Sequence, residues 1–255
     1  MSADKFTFRQ FVVYHDRTAM KGGTDGVLLG SWAALCCPDG HSRFSADGFS
    51  SGSEGIPLRI LDVGTGSGLV ALMMAQRFPS SVVDAIDIDS ASCRQAEENV
   101  SLSPFSDRVH VFESSVQSFV PSSCYDVMVC NPPFFVDSLK SPDKRRSLAR
   151  HSDTLPADVL FRFAFEWLSA EGMLYLVIPS ENFNLFMSSA SLSGLYAYEV
   201  CAIKTTPSKP VRRYLLSFSK HRPKQLVETL NYLQNPDGSR SSWYAKLTDK
   251  FYLDL

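Results

Sequence analysis

Short apolar segments alternate with helical segments from Leu58 onward, and this alternation constrains the fold more than any other feature of the chain. Apolar runs of five or six residues are typical of parallel strands buried on both faces, and helices between them are typical of right-handed crossovers. We therefore expect an α/β fold, with a doubly wound, mostly parallel seven-stranded sheet and an antiparallel hairpin at its edge. The sequence predicts strands at 59–63, 82–87, 108–112, 125–130, 173–178, 198–204 and 213–218, and helices at 69–77, 91–102, 156–169 and 181–192.

The chain divides into three predicted parts. Residues 1–57 form an N-terminal extension, in which the glycine-rich segment 21–26 precedes a helix predicted at 27–35 and capped by Thr24 or Asp25. A stretch rich in Gly, Ser and Asp at 38–57 predicts a mobile loop. Residues 58–220 form the sheet domain, and residues 221–255 form a tail packed on the same domain.

The composition of the whole chain excludes several classes of protein. Its 255 residues are 44% hydrophobic with a formal net charge of −2, so this is not a globally basic nucleic-acid binder. No apolar run approaches the roughly 20 residues of a membrane span, and the N-terminus lacks a signal-peptide pattern, so we expect a cytoplasmic protein. Its six cysteines show no paired CxxC spacing, which favours reduced packing residues and predicts no metal site.

A glycine-rich turn, Asp62-Val63-Gly64-Thr65-Gly66-Ser67-Gly68, ends the first of these strands and opens a helix. Glycines there let the backbone approach a ligand closely. A dinucleotide fingerprint would need its third glycine where the chain has Leu69, and no phosphate-binding P-loop lysine follows. Gly64, Gly66 and Gly68 behind Asp62 instead predict a cofactor without pyrophosphate, such as S-adenosyl-L-methionine.

An acidic residue at the end of the second strand is expected to accept the cofactor's ribose hydroxyls. Asp87 ends that strand, whereas Asp84 falls within it and Asp89 lies beyond it, so we rank Asp87 first. The alternative is a solvated strand-end carboxylate. Ser115 and Glu113 follow the third strand, where a polar group commonly faces the adenine of the cofactor.

The tetrapeptide Asn131-Pro132-Pro133-Phe134 predicts chemistry on a planar amine. Such an amine is a poor nucleophile because its lone pair is delocalised into the ring. If the Asn131 side-chain oxygen and the Pro132 carbonyl each accept one N–H, the nitrogen can become tetrahedral and turn its lone pair outward. The prolines have a fixed φ and no N–H, so this acceptor pair is rigid. Phe134 offers a ring face on which an extruded base can stack.

A strand-terminating turn is the alternative interpretation of this tetrapeptide, since Asn-Pro and Pro-Pro dipeptides commonly occur in turns and loops. Its place at the carboxyl end of a buried strand favours a ligand site, because open α/β sheets bind ligands there. Cys130, one residue earlier, could act as a nucleophile, but its predicted burial favours a packing role.

With these two motifs, the chain resembles the bacterial tRNA(Val) adenine-37 N6-methyltransferases, a family of class I S-adenosylmethionine-dependent enzymes with a Rossmann-like fold. The resemblance covers nearly the full length. It rests also on flanking segments, which are Phe8-Arg9-Gln10-Phe11, His15-Asp16-Arg17, the block at 19–30, Ala149-Arg150-His151 and the tail at 247–253.

The resemblance implies specific contacts. It implies that the methionine end of the cofactor lies near residues of the N-terminal segment and of the glycine-rich turn, namely Lys21, Thr24, Asp25, Asp62 and Gly64. It places the ribose at Asp87, the cofactor adenine near Ser115 and the target amine at Asn131. Ser115 departs from the Asp that many relatives carry, so the resemblance implies a hydroxyl in place of a carboxylate near the adenine. A helix-start salt bridge and cap is the alternative role of Lys21 and Asp25.

A basic segment follows the tetrapeptide and suits phosphate contacts, although an ordinary solvated loop has the same composition. Its five cations are Lys140, Lys144, Arg145, Arg146 and Arg150. A second set could extend this track if the sheet edge faces the same way. Its members are Lys204, Lys209, Arg212, Arg213, Arg222 and Lys224.

Three alternatives to a tRNA adenine N6-methyltransferase stay open from the residues. Asn-Pro-Pro-aromatic is shared with protein glutamine methyltransferases and ribosomal RNA guanine-N2 methyltransferases, and a non-catalytic module could retain the cofactor pocket. A dehydrogenase is disfavoured by Leu69. The sequence does not fix the oligomeric state, for which a monomer is the default expectation.

Overall fold

The computed structural model describes residues 5–16, 23–34, 56–132 and 155–253. Several residues singled out in the sequence lie outside these ranges, including Lys21, Phe134, most of the 38–57 segment and the five cations at 140–150.

An eight-stranded sheet forms the centre of the described structure, in the order β10-β8-β9-β7-β6-β3-β4-β5. Only β9 runs antiparallel to its neighbours. The strands are β3 (Arg59–Val63), β4 (Val82–Asp87), β5 (Val109–Glu113), β6 (Tyr125–Cys130), β7 (Leu168–Pro179), β8 (Tyr196–Lys204), β9 (Val211–Ser219) and β10 (Val227–Tyr232).

Helices cover both faces of this sheet, and a separate two-stranded hairpin precedes them. The hairpin consists of β1 (Lys5–Thr7) and β2 (Val12–Tyr14). The helices are α1 (Thr24–Trp32), α2 (Leu69–Arg77), α3 (Ser90–Ser101), α4 (Ala157–Trp167), a 3-10 turn (Ser180–Asn182), α5 (Phe183–Leu192) and α6 (Ser242–Thr248).

Two apolar cores lie on opposite faces of the sheet. Leu29, Met73 and Phe251 belong to the core under α1, α2 and α6. Phe161 and Phe218 belong to the core under α4 and α5. Alternate residues of each buried strand enter one core or the other, which explains why these strands are largely apolar in the sequence.

The strand order reverses between β3 and β6, and this reversal positions the site. From β3 the chain builds outward through β4 to β5, and then returns to β6 on the other side of β3. The carboxyl ends of β3 and β6 therefore diverge into a crevice, which is the place where open α/β sheets bind ligands.

The sheet differs from the prediction by one strand. We expected seven strands ending in an antiparallel hairpin, but β10 adds in parallel to the outer side of β8. Its sequence, Val-Glu-Thr-Leu-Asn-Tyr, is half polar and largely exposed, so it lacks the apolar run that marks the inner strands. The domain boundary at 220/221 stays a prediction, and the strand that follows it hydrogen-bonds into the same sheet.

The first helix also differs, because it begins at Thr24 rather than Val27 and ends at Trp32. Gly23 occupies the N-cap position and no side chain caps the helix, so the predicted cap by Thr24 or Asp25 is wrong. In the described ranges, Cys93, Cys124, Cys130 and Cys201 are free thiols. Likewise, none of the helices described there is long and apolar enough to cross a membrane.

Candidate active site

The glycine-rich turn after β3 takes a conformation that side chains disfavour. Gly64, Gly66 and Gly68 have φ values of 70°, 56° and 80°, all in the left-handed region. A Cβ built on Gly64 or Gly66 would meet nothing within 4 Å, so open space faces the backbone there. The turn thus presents bare peptide groups that a ligand can approach.

Hydrogen bonds fix this turn to the end of β4. The N–H groups of Gly64 and Thr65 both donate to the Ile86 carbonyl, at 2.9 and 3.0 Å. The N–H of Gly66 donates to the Asp87 carboxylate at 2.8 Å. Because three successive amides are anchored, the turn is held in place before any ligand binds.

Asp62 lies beneath the turn and is only 1% exposed. Its Oδ2 accepts hydrogen bonds from the Thr65 hydroxyl at 2.7 Å and the Ala71 N–H at 3.0 Å. Burial raises the pKa of this carboxyl to about 7, although both hydrogen bonds oppose the shift. Both of these hydrogen bonds reach the same oxygen, Oδ2.

Asp87 is half-buried at the end of β4, next to the turn. Besides the Gly66 N–H, it accepts the Asp89 N–H at 2.9 Å on Oδ1. Burial raises the pKa of Asp87 above its ordinary value. A carboxylate tied to two backbone amides is not a freely solvated strand end, so that alternative is wrong for Asp87.

The two competing carboxylates have structural partners elsewhere. Asp84 accepts hydrogen bonds from the Tyr125 hydroxyl at 2.6 Å and from Arg59 at 3.2 Å. Asp89 is the N-cap of α3 and accepts the Ser92 N–H at 2.9 Å. Asp87 is therefore the carboxylate of the three that contacts the glycine turn directly.

Ser115 follows β5, the strand beside β4, and caps a turn. Its hydroxyl contacts the Ser118 hydroxyl at 2.9 Å and accepts the Ser118 N–H at 3.2 Å.

Ile88 directly follows Asp87 and is 58% exposed, and it was not predicted as a site residue. An apolar side chain immediately after a strand-end carboxylate was the available signal. It offers a surface against which a planar ring can lie.

Asn131 and Pro132 continue β6 into the same crevice. Cys130 pairs with Val63, so Asn131 emerges beside the start of the glycine turn on the adjacent strand. Neighbouring strands lie roughly 5 Å apart, which brings both sequence motifs within the span of one small ligand. Asn131 is half-buried and Pro132 buried. Burial raises the pKa of the Cys130 thiol well above its usual value, which favours its predicted packing role.

The N-terminal turn of α1 is fixed at this edge by an ion pair that the sequence did not indicate. Arg213 Nε donates to both carboxylate oxygens of Asp25, at 2.9 and 2.8 Å. Thr24 begins the same turn. The alternative role of Asp25 in a helix-start salt bridge is thus present, with Arg213 as its partner.

The second basic set divides between the two edges of the sheet. Lys204, Lys209 and Arg212 lie at or beside the β8–β9 turn, at the edge that carries Asn131. Arg222 follows the end of β9 and Lys224 precedes β10, so both lie at the opposite edge. The predicted extension of the RNA-binding track through all of these cations is therefore wrong for Arg222 and Lys224.

The described residues contain no group of three His, Cys, Asp or Glu side chains suited to a metal ion.

Comparison with known proteins identifies the family. The family model described as "Methyltransferase small domain" matches residues 44–184. A tRNA1(Val) (adenine(37)-N6)-methyltransferase from Parabacteroides distasonis is 42% identical over 260 residues, which covers 100% of both chains. One with the same name from Phocaeicola vulgatus is 40% identical and covers 98% of both. The chain belongs to the tRNA1(Val) (adenine(37)-N6)-methyltransferase family.

A solved structure supports the fold of this family member. A protein from Agrobacterium tumefaciens, described as a predicted O-methyltransferase, aligns with a TM-score of 0.63 at 18% identity, covering 89% of this chain and 96% of that one. Likeness at this identity concerns the fold alone. The alignment confirms the Rossmann-like architecture. The family match confirms S-adenosyl-L-methionine as the cofactor.

Proposed function

We propose that this chain methylates the N6 amine of adenine 37 in tRNA1(Val), using S-adenosyl-L-methionine as the methyl donor. The observation that carries the proposal is that the two motifs lie next to each other where the strand order reverses between β3 and β6. There Asn131 emerges beside the turn that begins at Gly64. The full-length relatives supply the acceptor, because their names specify this tRNA and this adenine.

The cofactor fits the residues around the glycine turn. Open space above Gly64 and Gly66 admits a ligand against bare peptide groups. We assign the ribose hydroxyls to Asp87, the adenine to the region of Ile88 and Ser115, and the methionine end to Asp62, Gly64 and the first turn of α1. Lys21 is assigned to the same end by family resemblance. The bound cofactor supplies a methyl group activated on a sulfonium.

Asn131 and Pro132 prepare the acceptor amine. The Asn131 side-chain oxygen and the Pro132 carbonyl each accept one N–H of the adenine N6, which turns the nitrogen lone pair toward the methyl group. The bound cofactor would supply the methyl group to this lone pair and leave as the demethylated thioether, while the amine would release one proton to solvent. Phe134 stacks on the extruded base, and Lys140, Lys144, Arg145, Arg146 and Arg150 contact the tRNA backbone. Alignment and desolvation supply most of the rate.

Replacing the side-chain acceptor tests this assignment. Asn131→Ala is expected to lower methyl transfer to a tRNA1(Val) transcript by about 100-fold or more, the scale seen when one preorganised polar group is removed from an active site. Calorimetric binding of S-adenosyl-L-methionine should change little. Cys130→Ala, one residue earlier, is the control and should retain transfer, because its thiol is buried and protonated.

Two outcomes would contradict the proposal. Unchanged turnover in Asn131→Ala would reject the mechanism. Methyl label that enters purified protein or ribosomal RNA, but not tRNA, would reject the acceptor. Mapping N6-methyladenosine in the product tRNA identifies the modified position.

We also propose that the enzyme is cytoplasmic, because its substrate tRNA is modified there, and that it is a monomer.

A further inference from the structure

The turn between β8 and β9 concentrates positive charge. Residues 204–213 contain four cations and no carboxylate, in the order Lys204, Lys209, Arg212 and Arg213. Arg213 is paired with Asp25. Lys209 and Arg212 are exposed, whereas Lys204 is half-buried and donates to the Pro207 carbonyl at 3.3 Å. Lys204, Lys209 and Arg212 are called the hairpin cations below.

The hairpin cations lie on the edge of the sheet that carries Asn131. Cys130 of β6 pairs with Leu176 of β7, and three residues later Pro179 pairs with Arg213 of β9. With neighbouring strands roughly 5 Å apart, β9 and β8 lie about 10 and 15 Å from β6. The β8–β9 turn is therefore within reach of the backbone of an RNA loop that places one base at Asn131.

Local charge at this edge favours an anion. Among the residues that the structure describes, the exposed carboxylates near the β8–β9 turn are Glu181, after β7, and Asp237, which already accepts hydrogen bonds from Ser239. Asp25 is neutralised by Arg213. The hairpin cations thus keep an excess of positive charge on a protein whose formal net charge is −2.

We propose that the hairpin cations bind the phosphate backbone of the tRNA stem-loop that presents its adenine to Asn131. This inference rests on the proposed function and extends it to a surface formed by a different part of the chain. Phosphate contacts fix the register and orientation of a nucleic acid without reading its sequence. The role of the hairpin is therefore to orient the stem-loop while Asn131 and Pro132 hold the base.

The opposite edge of the sheet supplies a matched control. Arg222 and Lys224 are exposed and line a shallow cavity with Tyr196, at the amino end of β8. The nine residues of β8 separate them from the hairpin by roughly 26 Å. Removing these two charges changes the net charge of the protein as much as removing Lys209 and Arg212 does, but at the wrong edge for the proposed contact.

The experiment compares two alanine double variants, and a third double variant that keeps both charges, using an unmodified tRNA1(Val) transcript. For Lys209→Ala with Arg212→Ala, we expect the KM for tRNA to rise about tenfold near physiological salt, with kcat at saturating tRNA unchanged. The slope of log Kd for tRNA against log salt should fall by about 1.5, as two phosphate contacts are lost. Arg222→Ala with Lys224→Ala should match the wild type in both measurements. Lys209→Arg with Arg212→Lys keeps both charges and should retain tRNA affinity.

The result also separates this inference from the proposed function. If the wild type methylates the transcript but the two alanine double variants have equal KM values and salt slopes, the hairpin contact is wrong and the function stands. A wild type that transfers no methyl group to tRNA rejects the proposed function itself. Affinity for S-adenosyl-L-methionine and the melting temperature, measured for each variant, identify any loss that comes from misfolding.

Discussion

Burial brings the pKa of the Asp62 carboxyl close to physiological pH. It is enclosed beneath the glycine turn, and its pKa of about 7 lies well above the ordinary value of 3.8. A buried carboxylate without a cation is costly, whereas one beside a positively charged ligand is stabilised. S-adenosyl-L-methionine carries positive charge at its methionine end, so binding should favour the ionised form of Asp62.

Cofactor affinity should therefore depend on pH through Asp62. The pKa falls on binding, so a proton is released and affinity rises with pH until the free protein is ionised above about pH 8. At pH 6 only about one tenth of the free protein has Asp62 ionised, which predicts binding about tenfold weaker than on the plateau. Calorimetry in two buffers of different ionisation enthalpy measures both the affinity and the proton release.

Asp62→Asn is the matched control for this titration. Its side-chain oxygen can still accept the hydrogen bonds from Thr65 and Ala71, but it cannot ionise. Titration of the ligand itself appears in both proteins, so the difference between their pH profiles isolates Asp62. Identical profiles for the wild type and Asp62→Asn would show that this carboxyl does not sense the cofactor.

At the scale of elements, one ion pair links α1 to β9 across 188 residues of sequence. Asp25 sits in the first turn of α1, where a negative charge also interacts favourably with the helix dipole. Arg213 belongs to β9, the antiparallel strand between β7 and β8. The first turn of α1, which we propose to lie at the methionine end of the cofactor, is thus held by a strand that is distant in the sequence.

Breaking this pair should weaken cofactor binding more than it destabilises the fold. The pair is partly exposed, with 33% and 26% of the two side chains accessible, so its own contribution to stability is modest, about 1 kcal/mol or less. Arg213→Ala is expected to raise the Kd for S-adenosyl-L-methionine several-fold, because Asp25 loses its anchor. Arg213→Lys should recover part of this loss.

Arg212→Ala provides the adjacent control for Arg213→Ala. Consecutive strand residues point to opposite faces, so Arg212 does not face Asp25. Its removal should leave cofactor affinity unchanged in the absence of tRNA. Equal cofactor affinity for Arg213→Ala and the wild type, measured by calorimetry, would mean that the ion pair does not position the turn.

Elements with a continuous local signal were predictable from the sequence. The bounds of β3, β4, β6 and α2 are confirmed residue for residue, because apolar runs between glycine and proline punctuation define them. The hairpin β1–β2, strand β10 and helix α6 were missed. They are short or partly exposed and owe their structure to tertiary contacts, which a local pattern does not record.

The proximity of several proposed site residues was predictable for the same reason, whereas their roles stay proposals. Gly64, Asp87 and Asn131 each end or follow a buried strand, and the rule that parallel strands share a carboxyl edge brings them together. Arg213 was not assigned to Asp25, because no local pattern records a pairing between residues so far apart. The raised pKa of Asp62 was not predictable either, because it depends on burial, which only the assembled fold defines.

At the scale of the whole molecule, the C-terminal segment joins the N-terminal hairpin to the helical layer. The Arg9 N–H donates to the Phe251 carbonyl at 2.9 Å, and its guanidinium Nε donates to the Tyr252 carbonyl at 2.6 Å. Gln76 of α2 donates to the Lys250 carbonyl at 2.7 Å. Residues near both ends of the chain therefore meet beside α2, on the same face of the sheet as α1.

Phe251 is the apolar anchor of this meeting point. It is 1% exposed, and the Arg77 guanidinium lies 5.4 Å from its ring centroid. Phe251→Ala removes a fully buried ring and leaves a cavity in the core shared by α1 and α2, at a cost of about 3–5 kcal/mol in the free energy of unfolding. Leu253→Ala, two residues later and 48% exposed, should change that free energy by about 0.5 kcal/mol or less. Equilibrium urea unfolding of both variants compares the two sites.

Because the core beneath Phe251 also supports α1, the Phe251→Ala variant should bind S-adenosyl-L-methionine more weakly even where it is fully folded. A loss of stability equal to that of Leu253→Ala would mean that the two ends of the chain are not coupled through this side chain.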